Sequence, residues 1–213
     1  FSFVHGKAIK ENGFTFCSVS DESVMNGEVD LSKYKMVDFI FGEEKKTSLP
    51  KYKDKIEFEV FPISLREKVA AYLNGGGKIF LSGSYLGTDL YSNPDSVGIR
   101  FANDVLKFKL KTGHAVKIGK VFSVEDNFYP LKNNFEFNTT FSDSIYKVEA
   151  PDELGEGKGS EVLLRYGENN FSCAVGFKEK YGVVAFGFPF ETILGEKDRN
   201  AVMKSVINYL ELK

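Results

Sequence analysis

The chain has 213 residues, with 28 Lys and Arg against 30 Asp and Glu and a formal net charge of -2. That length fits one large domain or two small ones, and the balanced charge removes any bulk electrostatic case for nucleic acid or an anionic membrane as partner. No apolar run reaches the roughly 20 residues of a membrane span, and two histidines with two cysteines are too few to point to a His/Cys zinc site; no phosphate-loop pattern opens the sheet, so neither a metal nor a cofactor is expected.

Residues 2–12 (SFVHGKAIKEN) predict a helix closed by Gly13, with Phe3, Ala8 and Ile9 turned inward. Residues 14–20 (FTFCSVS) alternate and are rich in β-formers, which predicts a strand. Asp21-Glu22-Ser23 opens a short helical turn with its acids where the helix dipole favours them. Residues 34–42 are nearly all apolar after Lys35, the pattern of a strand covered on both faces in a parallel sheet. A doubly wound domain opens with a strand and then a helix. This chain opens with the helix, so a first strand is expected upstream of it.

Residues 63–74 form an amphipathic helix with Leu65, Val69, Tyr72 and Leu73 on one stripe, and Ser64 with Glu67 reads as a capping box. Gly75-Gly76-Gly77 ends it and turns the chain into a strand at 78–81. The stretch Ser82-Gly83-Ser84-Tyr85-Leu86-Gly87-Thr88-Asp89 then reads as a sharp turn into a new helix. Asn93-Pro94-Asp95 is a turn, and residues 96–108 repeat Ile99, Ala102 and Leu106 at helical spacing.

From there the pattern becomes β-rich. Residues 114–124 predict a strand bent at Gly119, 135–137 a short paired segment, 139–146 a short helix, and 152–159 (DELGEGKG) a polar glycine-rich loop. Residues 161–166 and 171–177 flank a Gly167-Glu168-Asn169-Asn170 turn and predict a hairpin, followed by an apolar strand at 183–188. Asp198 caps a final helix over 199–212 that buries Val202, Val206, Tyr209 and Leu210. Cys17 and Cys173 each lie in a strand-like run and read as small buried residues, with a disulfide between them left open. The expected architecture is one α/β domain over 1–213, a three-layer α/β/α arrangement with a mainly parallel central sheet. Residues 114–180 form a β-rich excursion within it, and the last helix packs back on the first sheet.

A strand followed by GSYLG, and a late hairpin followed by GVVAFGFPFE and a closing helix, resembles the class I glutamine amidotransferase-like superfamily. That resemblance implies a flavodoxin-like parallel sheet, a cysteine nucleophile in a G-x-C-x-G turn, and His and Glu in a late H-P-E motif. In this chain Gly83 and Gly87 match, and Tyr85 stands at the nucleophile position. Glu191 matches the late motif, but Pro189 stands where the histidine belongs. A Tyr phenol has a pKa near 10 and the motif holds no imidazole to activate it, so the amidotransferase reaction is not expected. A closer likeness is to domains of large secreted bacterial proteins labelled xanthan lyases. It is carried by His5-Gly6-Lys7-Ala8-Ile9, Tyr34 with Val37-Asp38, Gly75-Gly76-Gly77, residues 82–89, and Gly187-Phe188-Pro189-Phe190-Glu191-Thr192-Ile193. It implies a secreted, periplasmic or cell-surface setting connected with carbohydrate, further domains on the same polypeptide, and a strand upstream of the His5-Gly6 element.

In an open α/β sheet the turn after a central strand lies at the carboxyl edge, where ligands and nucleophiles sit. Ser82, Gly83, Gly87 and Asp89 are therefore the candidate ligand-binding residues, for a carbohydrate or other small polar ligand. The same turn also reads as an ordinary strand-to-helix connection with Ser as cap and Gly for geometry. Ser84, Tyr85 and Glu191 are the candidate catalytic residues. Ser84, His114 and Glu191 have the types of a triad, and Asp89 with Glu191 those of a glycosidase carboxylate pair. Glu191 also reads as a cap for backbone amides or a partner of Arg199. A lyase would draw on Tyr85, Arg100 and Asn93. The functional expectation is a non-catalytic or vestigial amidotransferase-like module of a larger exported bacterial protein, ligand-binding or structural. The alternative is a polysaccharide lyase or hydrolase with its site at the turn after 78–82.

Overall fold

The computed structural model describes residues 1–49, 52–92, 96–124, 128–131 and 134–212. In chain order the first half contains α1 (Ser2–Glu11), α2 (Asp21–Met25), a 3-10 turn (Leu31–Lys33), β1 (Val37–Gly42), β2 (Thr47–Leu49), β3 (Tyr52–Phe58), α3 (Ile63–Asn74), β4 (Lys78–Gly83), α4 (Leu86–Ser92), α5 (Ser96–Arg100) and a π-helical turn (Phe101–Val105). The second half contains β5 (Phe108–Thr112), β6 (Lys120–Ser123), β7 (Phe135–Glu136), β8 (Glu153–Glu156), β9 (Glu161–Tyr166), β10 (Ser172–Lys178), β11 (Gly182–Phe186), a 3-10 turn (Phe190–Thr192) and α6 (Glu196–Tyr209).

The fold is mixed α/β. Seven strands form one sheet in the order β1-β4-β11-β10-β9-β6-β7. β1, β4 and β11 run parallel, while every pairing from β11 outward to β7 is antiparallel. The sheet is therefore not mainly parallel, as the sequence led us to expect. The reason is connection length. Parallel neighbours need a crossover, which α3 supplies ahead of β4. The turns joining β9 to β10 and β10 to β11 are too short for anything but antiparallel pairing. β2 with β3, and β5 with β8, form two small antiparallel sheets of their own.

The continuous apolarity of β4 and β11 is explained by cover on both faces. Phe80, Val184 and Phe186 face a core shared with Ala8 and Ile9 of α1 and Val202 and Val206 of α6. Their neighbours Ile79, Leu81, Val183 and Ala185 face the opposite core with Leu65, Val69 and Leu73 of α3. The last helix does pack back on the first sheet.

Other expectations are corrected. Residues 14–20 join no strand, and Thr15 through Ser20 are exposed. Cys17 is consequently exposed rather than buried, Cys173 is buried, and both are free thiols. α3 starts at Ile63 behind Pro62 with no side-chain cap bond, so Ser64 and Glu67 form no capping box. α6 starts at Glu196 behind Gly195, two residues before the expected Asp198 cap. The helix expected over 96–108 gives way at Leu106, because Phe108 enters β5 against Glu156 of β8. Half of the "loop" at 152–159 is thus strand β8. Its glycines serve close packing: a Cβ on Gly155 would fall 2.3 Å from the Lys111 side chain. Residues 139–146 are not helical, and only 120–123 of the strand expected at 114–124 is formed. Asn93-Pro94-Asp95 lies outside the described residues.

Gly119 marks a close approach rather than a simple bend. Its carbonyl accepts the Phe137 amide at 2.9 Å, and a Cβ there would stand 2.0 Å from the Phe137 carbonyl oxygen. Gly119→Ala must push two backbones apart, and we expect it to cost about 2–3 kcal/mol. Urea denaturation measures this directly; a loss under about 0.5 kcal/mol would mean the strands separate freely.

Candidate functional site at the carboxyl edge

β4 ends at Gly83, and Ser84 and Tyr85 make the turn into α4. The Ser84 amide donates to the Gly42 carbonyl at 2.9 Å, which ties the turn to the end of β1. The buried Ser84 hydroxyl donates to Glu43 Oε1 at 3.1 Å, and the Glu149 amide reaches the same oxygen at 3.0 Å. Tyr85 is half-buried, with the Lys45 ammonium 5.2 Å from its ring centroid. Burial, and then the charges of Glu43, Glu149 and Asp152, push its phenol above the ordinary value, so it stays protonated.

The first amides of α4 are occupied from within. Asp152 Oδ2 accepts the Gly87 amide at 2.7 Å and the Thr88 amide at 3.0 Å, and the Thr88 hydroxyl donates to Oδ1 at 2.6 Å. Burial raises Asp152 to about 7 against the pull of these donors. Asp89 performs a similar task one turn on, taking the Lys46 amide at 2.9 Å and the Val60 amide at 3.1 Å at the two ends of the β2–β3 excursion. The Ser82 hydroxyl is buried on β4 without a hydrogen-bond partner among the described residues.

Glu191 belongs to a second cluster, on the α1 face. α1 turns His5, Gly6, Ala8 and Ile9 inward, whereas Phe3, expected on the inner face, is 76% exposed. His5 Nδ1 lies 2.7 Å from Asp38 Oδ2 of β1, and Nε2 lies 3.2 Å from Glu191 Oε2. The Tyr146 hydroxyl donates to Glu191 Oε1 at 2.7 Å. The imidazole packs edge-on against Phe190, centroids 4.6 Å apart. With a carboxylate at each ring nitrogen, the state that satisfies both is the imidazolium, which donates twice. Burial alone would lower the His5 pKa. The charge and hydrogen bond of Asp38, with those of Glu191, outweigh it and raise His5 to about 9. Burial would raise Glu191, but the His5 hydrogen bond and charge hold it below the usual carboxylate value. Tyr146 is driven up by burial and by the Glu191 charge.

Local sequence explains how these groups meet. The buried Asn138 amide donates to the carbonyls of Thr140, Ile145 and Tyr146 at 2.9, 3.2 and 3.0 Å. Its own backbone amide donates to the Thr192 carbonyl at 2.9 Å, which pins the loop carrying Tyr146 to the turn carrying Glu191. Gly42, at φ 55°, leaves room between them: a Cβ there would lie 3.2 Å from the Tyr146 hydroxyl and 3.4 Å from Glu191 Oε1.

The structure thus gathers Ser82, Gly83, Ser84, Tyr85, Gly87 and Asp89 around the end of β4, and sets Glu191 in a separate network. The imidazole beside Glu191 is that of His5; His114 is exposed, just past the end of β5. Arg199 donates to the Ile193 carbonyl at 2.6 Å rather than to Glu191. Asp89 and Glu191 have separate sets of partners. Asn93 lies outside the described residues. Sequence reasoning missed Asp38, Glu43, Tyr146 and Asp152 as site residues. His5 and Asp38 stood among the residues carrying the xanthan-lyase likeness, and pairing them with Glu191 was the available signal. Among the described residues no group of three or more His, Cys, Asp or Glu is placed to hold a metal, and no helix is long and apolar enough to cross a membrane.

No protein-family model and no curated protein matches the chain. Solved structures do. A cytoplasmic protein from Salmonella typhimurium is 12% identical with a TM-score of 0.64, over 98% of this chain and 86% of that one. A ThuA-like protein from Bacteroides uniformis is 10% identical with a TM-score of 0.55, over 99% of this chain and 80% of that one. A cold-adapted β-galactosidase from a Rahnella species is 13% identical with a TM-score of 0.57, over 99% of this chain and 27% of that one. The chain therefore spans about a quarter of the β-galactosidase's length. At these identities the shared property is the fold.

Proposed function

We propose that this chain is a non-catalytic, amidotransferase-like α/β module that holds a small polar ligand, a carbohydrate by preference, beside Tyr85 at the carboxyl edge of β4. One observation carries the reading: the groups that would activate a nucleophile at this edge are all spent on holding the fold. His5 is an imidazolium at neutral pH with both N–H groups donated, so it has no lone pair with which to accept a proton. Both Glu191 oxygens are engaged, the Ser84 hydroxyl is directed at Glu43, and the amides of Gly87 and Thr88 are closed off by Asp152. Tyr85 remains partly open, with the Lys45 ammonium over its ring and the Glu149 carboxylate near enough to act on its phenol by charge. An apolar ring flanked by hydrogen-bonding groups suits a sugar ring better than a phosphate.

Two further features support the wider setting. The same fold makes up about a quarter of a β-galactosidase chain, which favours a module within a larger protein. The likeness to domains of secreted bacterial proteins favours an exported one, acting in polysaccharide metabolism. Titration with neutral and acidic oligosaccharides, followed by calorimetry or NMR, tests the reading. Saturable binding should weaken at least about tenfold in Tyr85→Ala, with little change in stability because the side chain is half-exposed. Unchanged binding in that variant would place the ligand elsewhere. Oligosaccharide turnover abolished by Tyr85→Phe would replace the binding module with the lyase or hydrolase alternative.

A further inference from the structure

The open face of Tyr85 already carries a cation. The Lys45 ammonium stands over the ring, 5.2 Å from its centroid, within the range of a cation–π contact. Lys45 is exposed, so burial does not force its side chain onto the ring. Its backbone is fixed nearby. The next amide, that of Lys46, donates to Asp89 Oδ1 at 2.9 Å, and Asp89 lies one turn past Tyr85 on α4. The ring is thus occupied by a primary ammonium on a tether anchored at its base.

Carboxylates flank this pair. Glu43 Oε1 takes both the Ser84 hydroxyl and the Glu149 amide, which sets Glu43 beside the residue before Tyr85. Asp152 takes the amides of Gly87 and Thr88, just after it. The charges of Glu43, Glu149 and Asp152 all act on the Tyr85 phenol, and the Lys45 charge acts on the Glu149 carboxylate. Glu149 pairs with Lys147 at 2.9 Å, but both side chains are exposed, and an exposed pair is weak enough to exchange partners. Next along the chain, burial and the charges of Asp21, Asp89 and Glu22 push Glu44 up to about 7. The carboxyl edge therefore holds more negative charge than its own lysines neutralise.

Resting on the binding site proposed at Tyr85, we infer that its ligand is an amino sugar, whose unacetylated ammonium takes the place of Lys45 over the ring with the Glu149 carboxylate as its counter-charge. One aromatic face serves both parts of such a ligand. It offers apolar contact to the sugar ring and the negative face of its π-system to the cation. A primary ammonium has three N–H donors, so it can meet the ring and still donate to a carboxylate. Lys45 carries the same chemical group and acts as an internal stand-in, which an incoming ligand displaces into solvent. A neutral sugar gains the ring alone. A uronate would set a further carboxylate among Glu43, Glu149 and Asp152, a like-charge arrangement that interfaces avoid.

Calorimetric titration with three probes tests this: a glucosamine tetramer, its fully N-acetylated form and a galacturonate tetramer. The glucosamine tetramer should bind at least about tenfold more tightly than the N-acetylated one, and added salt should narrow the gap. Lys45 and Glu149 are exposed, so Lys45→Gln and Glu149→Gln should keep the fold. Lys45→Gln frees the ring and should strengthen glucosamine binding; Glu149→Gln should weaken it and leave the N-acetylated tetramer unaffected. Equal affinity for the two tetramers, both lost in Tyr85→Ala, would overturn the charge preference and leave the binding module standing. A preference for glucosamine that survives Tyr85→Ala would be attraction to the acidic surface at large and would overturn the inference. Binding of none of the three would overturn the inference together with the reading it rests on.

Discussion

His5→Ala should lower the free energy of unfolding by about 3–5 kcal/mol at pH 7, because it strands two carboxylates at once. Glu191 is 2% exposed and would keep the Tyr146 hydroxyl but lose its cationic partner. Asp38 already has one buried oxygen without a hydrogen bond among the described residues, and would lose the His5 partner of the other. The loss exceeds that of the ring's apolar contacts with Phe190 and Phe80, which is what a packing role alone would predict. A double-mutant cycle separates the two: Glu191→Gln removes one stranded charge, so the double variant should cost clearly less than the sum of the singles. Additive losses would show that the ring matters only as filler. The pH dependence has a definite sign. His5 is raised from 6.5 to about 9 in the fold, so its contribution is complete below about 6.5 and is lost as pH rises through about 9. That interval is worth about 3 kcal/mol. His5→Ala should be nearly flat there, and a variant as steep as the parent would disprove the assignment.

Asp152 is expected to give the second large effect. Asp152→Ala deletes a carboxyl that accepts two amides and a hydroxyl at the start of α4, leaving the Gly87 and Thr88 donors unsatisfied. The expected loss is about 3–4 kcal/mol. Asp152→Asn should behave differently. Its carbonyl oxygen can accept the two amides, and its NH2 can donate to the Thr88 hydroxyl, as the protonated acid would. Because burial raises Asp152 from 3.8 to about 7, the folded state favours the protonated form. The stability from this group is complete below about 3.8 and falls as pH rises through about 7, by about 4 kcal/mol. Asp152→Asn should therefore remove the slope between pH 4 and 7 and be more stable than the parent above pH 7. Equal slopes in the two proteins, followed by urea denaturation at several pH values, would mean that the converging donors keep Asp152 ionised. His5 and Asp152 act in the same direction, so stability should decline from mildly acidic to alkaline pH.

Much of the fold was legible in residue order. The stripe on Ile63–Asn74, the apolar runs of β4 and β11, the β9–β10 hairpin and the closing helix rest on spacings of two to four residues, and local geometry enforces those. The elbow at Gly83–Gly87 was legible for the same reason. What failed depended on neighbours distant in sequence. Residues 14–20 have the composition of a strand but no described strand to pair with, and Gly155 reads as loop until Lys111 is laid across it. The site divides in the same way. Glu191 was visible from its motif, but His5 lies 186 residues away and Asp38 on another strand. The sequence by itself determined the buried faces of α3 and α6, the apolar strands β4 and β11, and the turn after β4. Only tertiary packing decided strand direction and the meeting of His5 with Asp38 and Glu191, since nothing local brings an imidazole and two carboxylates together before the sheet and α1 have closed over them.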